Sequence, residues 1–317
     1  MKYSGIGGQA VLEGVMMKNG DTYAVAVRKP DHTIEVKKET KKGWAAKHAW
    51  TQIPFVRGSF NFIDSMVLGI ETLNWSASFY EEEGEKEQPE MTEEQRAAYE
   101  KKKKRQDSIL MMITTIVSVI LALAIFSVLP VWLSNFLKPV VHSVTLMAFL
   151  EGVIRLAIFL IYVAVISKME DIRRVYMYHG AEHKCINCIE HGMELNVENV
   201  LKSSRLHKRC GTSFLLIVMV ISILFFTVIH VDTLWLRMVS RILLIPVIAG
   251  VSYEFLRLAG RSDNGLVNLL SKPGLWLQHL TTREPDAEMA EVAIASVEAV
   301  FDWKTYLAEN FGWKESM

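Results

Sequence analysis

A long run without charge is the feature that most constrains this chain. Residues 108–137 carry no Asp, Glu, Lys or Arg side chain, and about 20 apolar residues are enough for a helix to cross a bilayer. We expect this run to form a membrane-spanning helix that ends near Pro130. Three further apolar segments follow, at residues 145–166, 211–230 and 234–256. The sequence therefore predicts a mainly α, polytopic helical membrane protein with about four transmembrane helices.

Basic residues flank these spans unevenly. Residues 101–105, before the first span, are all Lys or Arg, and residues 167–210, between the second and third spans, hold eight more. Arg257 and Arg261 follow the fourth span, whereas the two opposite connections hold a single Lys between them. Lys and Arg concentrate in cytoplasmic loops. We therefore expect a multi-pass protein of the cell (inner) membrane, in contact with membrane lipid, with both termini and residues 167–210 in the cytoplasm.

The residues before the first span and after the last one divide into three predicted parts. They are a small N-terminal cytosolic β unit at 1–54, an amphipathic helix with a charged linker at 55–107, and a cytosolic helical tail at 257–317. Alternating apolar residues between turn signals predict strands at 10–16, 22–28 and 33–40. In the tail, Pro273 is expected to break a helix, and residues 282–286 are expected to begin another.

The segment at 167–210 contains a histidine pair. His179 and His183 are four residues apart, a spacing that places both imidazoles on one face of a helix. Glu182 precedes the second histidine, which gives the order H-x-x-E-H of zinc proteases in which the Glu activates the bound water. The pattern predicts a zinc site with Glu182 as the general base. The third ligand is open among three candidates, which are His207, Cys210 and Glu254.

The cysteines allow a second allocation of ligands. Cys185 and Cys188, followed by His207 and Cys210, supply four ligands in a spacing typical of closed structural zinc sites. Such a site would hold the segment together and would catalyse nothing. All three cysteines of the chain lie in this one segment, which is hard to attribute to chance. The two allocations share His207 and Cys210, and the spacing alone leaves both open.

Charged side chains also occur inside two of the predicted spans. Glu151 and Arg155 lie four residues apart in the second span, where they can pair, and Arg241 in the fourth can join them. An unpaired charge at the centre of a bilayer costs about 3 kcal/mol on insertion scales. We therefore expect structural pairing, and a transport path lined by these three residues is the alternative.

Four blocks of the sequence resemble a known family. They are GGQAVLEGVMM at 7–17, YHGAEHK at 178–184, RCGTSF at 209–214, and PGLWLQ with LTTREPD at 273–286. Over nearly its whole length the chain is similar to the YqhQ-like family of bacterial multi-pass membrane proteins, which are of unknown function and often described as predicted metal-dependent enzymes. The resemblance implies a single intact unit. The family motif corresponds here to His179, Glu182, His183, His207 and Cys210, which favours the His-based site.

These observations lead to one main interpretation and two alternatives. The main one is a metal-dependent hydrolase or peptidase, with zinc as its cofactor, at the cytoplasmic face of the membrane. The first alternative is a non-enzymatic membrane scaffold or assembly factor with a structural zinc site, and the second is a transport component. We expect a membrane-protein partner or a second copy of the chain. Nucleic acid is not expected, because 35 basic and 35 acidic residues give a net charge of zero.

Overall fold

Four helices of the computed structural model are long and apolar enough to cross a membrane. The structure describes residues 2–44, 48–80, 93–229, 233–261 and 264–314. The candidate spans among them are Met112–Asn135, Val144–Ile166, Gly211–Val228 and Val239–Gly260, with mean hydropathies from 1.7 to 2.7. Together with a four-stranded antiparallel sheet near the N-terminus, these helices confirm the predicted fold class.

The first candidate span contains a wide helical turn. Helix α2 (Glu93–Leu123) runs into a π-helical turn (Ala124–Val128), and α3 (Leu129–Asn135) continues the segment. Pro130 lies in the first turn of α3, so the prediction that the span ends there is wrong. A proline is tolerated at this position because the first N–H groups of a helix need no partner within the helix. The π turn before it accommodates the hydrogen bond that Pro130, which has no N–H, cannot make.

Helix α7 lies in the middle of the apolar helices. Its neighbours are α4 (Val144–Ile166), α8 (Leu234–Arg261) and α9 (Gly265–Thr281), and α7 itself is Gly211–Val228. A Cβ on Gly274 of α9 would lie 2.8 Å from the Ser213 hydroxyl oxygen, so the two helices meet closely. Pro273 lies inside α9, and the helix break predicted there is wrong. Buried side chains on both sides of this proline keep the helix continuous, although a hydrogen bond is lost.

Helix α1 (Val56–Ala77) connects the apolar helices to the sheet. It packs closely against α8, because a Cβ on Gly58 would lie 2.6 Å from the Cβ of Tyr253. Its outer side is apolar and at least half exposed, with Ile63 at 53%, Met66 at 50% and Ile70 at 57%. This stripe is typical of an amphipathic surface helix. Of the charged linker predicted after it, residues 81–92 lie outside the described residues, and residues 93–107 form the beginning of α2.

The N-terminal strands form an antiparallel meander. They are β1 (Gly7–Val11), β2 (Gly14–Asn19), β3 (Thr22–Arg28) and β4 (Ile34–Thr40), adjacent in that order. The structure confirms the two later predicted strands, but the single strand predicted at 10–16 is wrong. The chain reverses there, because Val11 pairs with Gly14 and Glu13 between them has φ of 50°. Gly14 permits this turn, since a side chain at this position would collide with the Ala26 carbonyl.

Both faces of the sheet are buried at its central strands, β2 and β3. Val15, Met17 and Ala26 lie in one core with helices α5 (Glu170–Glu190) and α10 (Ala287–Val300). The alternate residues Met16 and Val25 lie in a second core with Leu68 of α1, as the two-residue period of a strand requires. Two short helices, α6 (Val197–Lys202) and α11 (Trp303–Phe311), complete the first core. The helix that carries the histidine pair is thereby fixed against the sheet.

The tail helix α10 begins where the sequence predicts. Asp286 caps it, and its side chain accepts a hydrogen bond of 2.8 Å from the backbone N–H of Met289. Met289, Val292, Ala293 and Val297 are buried along one face. The C-terminal part of the chain therefore packs on the N-terminal sheet, although the two are far apart in sequence.

Candidate metal centre

Helix α5 brings the histidine pair and Glu182 together on a buried face. The ring centroids of His179 and His183 are 4.4 Å apart. His183 is 1% exposed and Glu182 is 4% exposed. The four-residue spacing thus places both imidazoles on one face, although Gly180 lies between them. Gly180 is needed for packing, because a side chain there would collide with the Arg283 carbonyl.

Backbone carbonyls fix the orientation of both imidazole rings. His179 Nδ1 donates to the Thr281 carbonyl oxygen at 2.8 Å, and His183 Nδ1 donates to the Arg205 carbonyl oxygen at 2.6 Å. Because each Nδ1 carries a proton in these bonds, each Nε2 offers a lone pair whenever its ring is neutral. A hydrogen bond of this kind is the usual support of a metal-binding histidine. Both rings are thus held in the tautomer that binds a metal through Nε2.

Cys210 is the third member of the cluster. It caps the N-terminus of α7, and its Sγ lies 3.2 Å from His179 Nε2. One ligand atom from each of His179, His183 and Cys210 lies within 4.8 Å of the other two. Bonds of 2.0–2.3 Å around a tetrahedral zinc imply separations of about 3.5 Å between ligand atoms. The cluster therefore fits a zinc ion after small movements of the side chains.

Glu182 lies next to the three proposed ligands and is not one of them. Its Oε2 lies 3.8 Å from His179 Nε2 and 3.9 Å from His183 Nε2. Its carboxylate accepts a hydrogen bond from the backbone N–H of Gly8 in β1. Gly8 makes room for it, because a Cβ there would lie 3.0 Å from Glu182 Cγ. Strand β1 therefore holds the carboxylate in place next to the two histidines.

The charges of these groups are strongly coupled. Burial raises the pKa of Glu182, and the neighbouring histidines only partly offset that rise. Burial alone would lower the pKa of His179, but the Cys210 sulfur and Glu182 outweigh it and raise the pKa to about 9. Burial would likewise raise the pKa of Cys210, yet the two histidines hold this pKa well below its usual value. The thiolate, which is the form that binds metals, is thus favoured.

His207, a predicted ligand, lies next to this cluster in a separate ion network. Its Nε2 faces Glu190, 3.7 Å from Oε2. Glu190 also pairs with Arg209 and accepts hydrogen bonds from the Ser4 hydroxyl at 2.7 Å and the Ser4 N–H at 2.9 Å. Burial would raise the pKa of Glu190, but these partners together lower it to about 2. His207 therefore neighbours a carboxylate that stays charged.

The remaining predicted ligands lie elsewhere. Cys185 and Cys188 are fully buried in the core shared with α10, and burial raises the pKa of both thiols. The four-ligand cysteine site is thus not assembled among the described residues. Glu254 pairs with Arg57 at 2.6 Å and joins α8 to α1. Of the predicted ligands, the structure brings His179, His183 and Cys210 together in one cluster.

The segment before Cys210 is held by two side chains that were not among the predicted site residues. Asn187 Nδ2 donates to the carbonyls of Ser204 at 2.6 Å and Leu206 at 2.9 Å. Gln278 of α9 accepts from the His207 N–H at 2.8 Å and donates to the His207 carbonyl at 2.7 Å. These bonds satisfy the buried backbone of the segment and fix the position of Cys210.

Comparison with known proteins agrees with the earlier resemblance. A family described as a protein of unknown function, DUF1385, matches residues 53–303. The chain belongs to the DUF1385 family. It is 37% identical over 291 residues to the uncharacterized protein YqhQ of Bacillus subtilis (strain 168), covering 92% of this chain and 90% of the relative. No solved structure matches it.

The four blocks that carry the resemblance to DUF1385 relatives converge on the cluster. The first supplies Gly8 against Glu182, and the second supplies the two histidines and Glu182 on α5. The third begins next to Cys210, and the last supplies the Thr281 carbonyl and Gln278. Segments far apart in the sequence thus meet at one buried site, which the family resemblance alone does not reveal.

Proposed function

We propose that this protein is a zinc-dependent hydrolase that acts at the cytoplasmic face of the membrane. His179, His183 and Cys210 would hold the metal, and Glu182 would be the general base. The convergence of three ligand atoms within 4.8 Å, beside a buried carboxylate, carries the proposal. Catalytic zinc sites use three protein ligands and keep the fourth position for water or substrate, whereas structural sites use four.

The residues of the cluster suit the chemistry of water activation. A bound zinc would polarise the substrate and lower the pKa of a bound water. Glu182 lies 3.8–3.9 Å from both imidazole Nε2 atoms, a position from which its carboxylate can accept the proton of that water and pass it to the leaving group. The carbonyls of Thr281 and Arg205 keep the imidazoles aligned during this exchange. The order H-x-x-E-H favours hydrolysis of a peptide bond.

A cleft near the cluster, lined by neighbours of Glu182 and Cys210, would be the way in for a substrate. Its volume is about 910 Å³, and Gly8 and Gly211, which adjoin Glu182 and Cys210, form part of its wall. Phe62, Met66 and Ile70 of α1 line another part, next to the exposed apolar stripe of that helix. These features support a substrate that approaches along the membrane surface, such as an amphipathic polypeptide segment.

Metal content tests the ligand assignment. We would measure zinc by elemental mass spectrometry in the detergent-purified full chain, prepared without chelator. About one zinc per chain is expected in the wild type and in Glu182→Gln, and little in His179→Ala or Cys210→Ala. Cys188→Ser is the matched control, because its thiol lies in the hydrophobic core. Absence of metal from the wild type would refute the proposal.

Hydrolysis tests the role of Glu182. The probe is a panel of internally quenched amphipathic peptides added to the protein in phospholipid nanodiscs. Cleavage should be abolished in Glu182→Gln while zinc and the thermal unfolding midpoint are kept, since the amide cannot act as a base. Cleavage that persists in this variant would remove Glu182 from the mechanism. If no probe is cleaved and cells that carry Glu182→Gln grow like the wild type, the zinc has a structural role and the protein is a non-enzymatic scaffold.

One contact supports a second candidate function, in which Cys210 is itself a nucleophile. Its Sγ lies 3.2 Å from His179 Nε2, and Cys210 caps the N-terminus of α7, where thiolates are stabilised. This arrangement suits a cysteine hydrolase in which His179 holds the thiol proton and passes it to the leaving group. A chelator separates the two candidates. It would abolish zinc-dependent cleavage, whereas a cysteine hydrolase would keep its activity after chelation.

A further inference from the structure

A second polar site lies at the far end of the apolar helices. Glu151 of α4 is buried, and its Oε1 accepts from Arg155 at 3.0 Å and from Arg241 of α8 at 2.6 Å. This contact confirms the predicted pairing. Two guanidinium groups share one carboxylate, so the three side chains together carry one excess positive charge. An excess charge among apolar helices is costly and is usually tied to a ligand or an ion path.

Both guanidinium groups are held in position by aromatic and backbone groups. They lie over the ring of Phe226, with Arg155 at 5.7 Å and Arg241 at 5.2 Å from its centroid. Arg155 Nε also donates to the Phe126 carbonyl at 3.1 Å. Phe126 belongs to the π turn before Pro130, and π turns free a carbonyl from the helical ladder. The positive charges are therefore fixed in place before any ligand arrives.

A cavity of about 240 Å³ opens beside this cluster, with Glu151 and Arg241 in its wall. Lys138 and His142 also line it, together with the polar side chains of Asn135 and Ser143. Among the described lining residues, Glu151 is the one acid, and it is already shared by two arginines. Apolar side chains such as Met147 form the rest of the wall. The lining thus combines basic donors with an apolar side.

The cavity is distinct from the metal centre. Cys210 precedes the first turn of α7 and Phe226 lies in its last turn, which places them about 24 Å apart along the helix axis. This distance approaches the thickness of the hydrocarbon core, about 30 Å. The metal centre and the cavity therefore lie at opposite ends of the spans, near opposite surfaces of the bilayer.

We propose that this cavity binds a phosphate-bearing anion. Arg241 and Lys138 would contact the phosphate oxygens, since arginine binds phosphate with paired, charge-assisted hydrogen bonds. Glu151 accepts from both arginines and offsets one of their two charges, so one positive charge is left to attract the anion. The apolar side of the cavity and its place at one end of the spans favour the headgroup of an anionic phospholipid. Free inorganic phosphate shares the same chemistry.

Native mass spectrometry of the detergent-purified full chain tests this site. The probes are phosphatidylglycerol, phosphatidylcholine and inorganic phosphate. We expect one phosphatidylglycerol to bind more tightly than phosphatidylcholine. Arg241→Gln should weaken it about tenfold, the effect of losing one hydrogen bond to a charged group, and Lys138→Ala should weaken it less. Lys168→Ala is the matched control, because Lys168 is exposed at the opposite end of α4.

Glu151→Gln separates ligand binding from structural support. It removes the negative charge and keeps a hydrogen-bond acceptor, so affinity for phosphatidylglycerol should rise. A purely structural cluster would lose stability in this variant with no gain in affinity, and that result would overturn the proposal. Equal binding by Arg241→Gln and Lys168→Ala would overturn it as well. Competition by millimolar phosphate, sensitive to Arg241→Gln, would identify the free ion as the ligand, and its absence would identify the lipid headgroup.

Discussion

At the scale of single residues, the missing side chain of Gly8 allows Glu182 to reach the histidines. A Cβ at this position would lie 2.4 Å from the Met16 carbonyl oxygen, 2.9 Å from Met17 Sδ and 3.0 Å from Glu182 Cγ. We predict that Gly8→Ala shifts β1 against β2, displaces the carboxylate and abolishes hydrolysis. Zinc should be kept, because the three proposed ligands lie on α5 and at the start of α7. Overpacking of this kind destabilises a protein by about 1–3 kcal/mol. Elemental analysis and thermal unfolding measure the two effects separately.

The neighbouring glycine provides the control for this prediction. A Cβ on Gly7 would meet no atom within 4 Å. Gly7→Ala should therefore keep both the unfolding midpoint and the activity of the wild type. If the two alanine variants behave alike, the close contacts around Gly8 are not the reason that Gly8 is required.

Glu190 gives the protein a defined response to acid. Its pKa falls from an ordinary 4.5 to about 2 in the folded chain, so the unfolded chain binds the proton more readily. Its contribution to stability is therefore complete above pH 4.5 and is lost as the pH falls towards 2. Glu190→Gln leaves the Arg209 charge without its counter-ion. This should lower the free energy of unfolding by about 3–5 kcal/mol at neutral pH. Unfolding midpoints in detergent from pH 7 to pH 3 should decline less steeply for the variant.

The spacing along α5 could have identified more of the site than it did. Asn187 lies four residues after His183, and Glu190 follows three residues later, so all of them share one helical face. The choice of Cys210 over His207 could not be made from the sequence. It depends on Gln278, which binds both backbone groups of His207 from a distant helix. Such a contact leaves no periodic signal.

At the scale of elements, the segment between α6 and α7 is positioned by bonds to side chains of its neighbours. Gln278 is fully buried and binds His207 and the Ser213 hydroxyl. We predict that Gln278→Leu lowers stability by several kcal/mol, since each buried group left unpaired costs about 1–3 kcal/mol. Zinc content should fall too, because Cys210 would lose its fixed position. His279→Leu, an exposed change on the same helix, should leave both the unfolding midpoint and the zinc content unaltered.

Errors in the predicted elements share a physical cause. Pro130 and Pro273 signal helix ends locally, yet a π turn and packing against α7 keep both helices continuous. The turn at Leu12-Glu13 lacks the usual Asn-Gly signal, and Gly14 makes it possible only through close contact with β3. The long apolar runs were predicted well because a span needs only length and hydrophobicity. Tertiary contacts decided the other elements.

At the scale of the whole molecule, α7 links two proposed sites, one for a metal cation and one for an anion. Its first turn follows the buried cluster at Cys210, and its last turn carries Phe226 beneath the two arginines. Basic residues are abundant in 167–210, on the side of the cluster. By the positive-inside rule, we expect the cluster to face the cytoplasm, where thiols stay reduced. The anion cavity would then lie near the outer leaflet.

Two exposed lysines at opposite ends of the spans test this orientation. Lys138 lies in the connection before α4 and Lys168 directly after it. The three native cysteines are buried, so they should contribute little background to thiol labelling. In intact spheroplasts a membrane-impermeant maleimide should label Lys138→Cys, and it should label Lys168→Cys only after the membrane is opened. The reverse pattern would put the metal centre outside the cytoplasm, where a free Cys210 would be exposed to oxidation, and would exclude a cytoplasmic substrate.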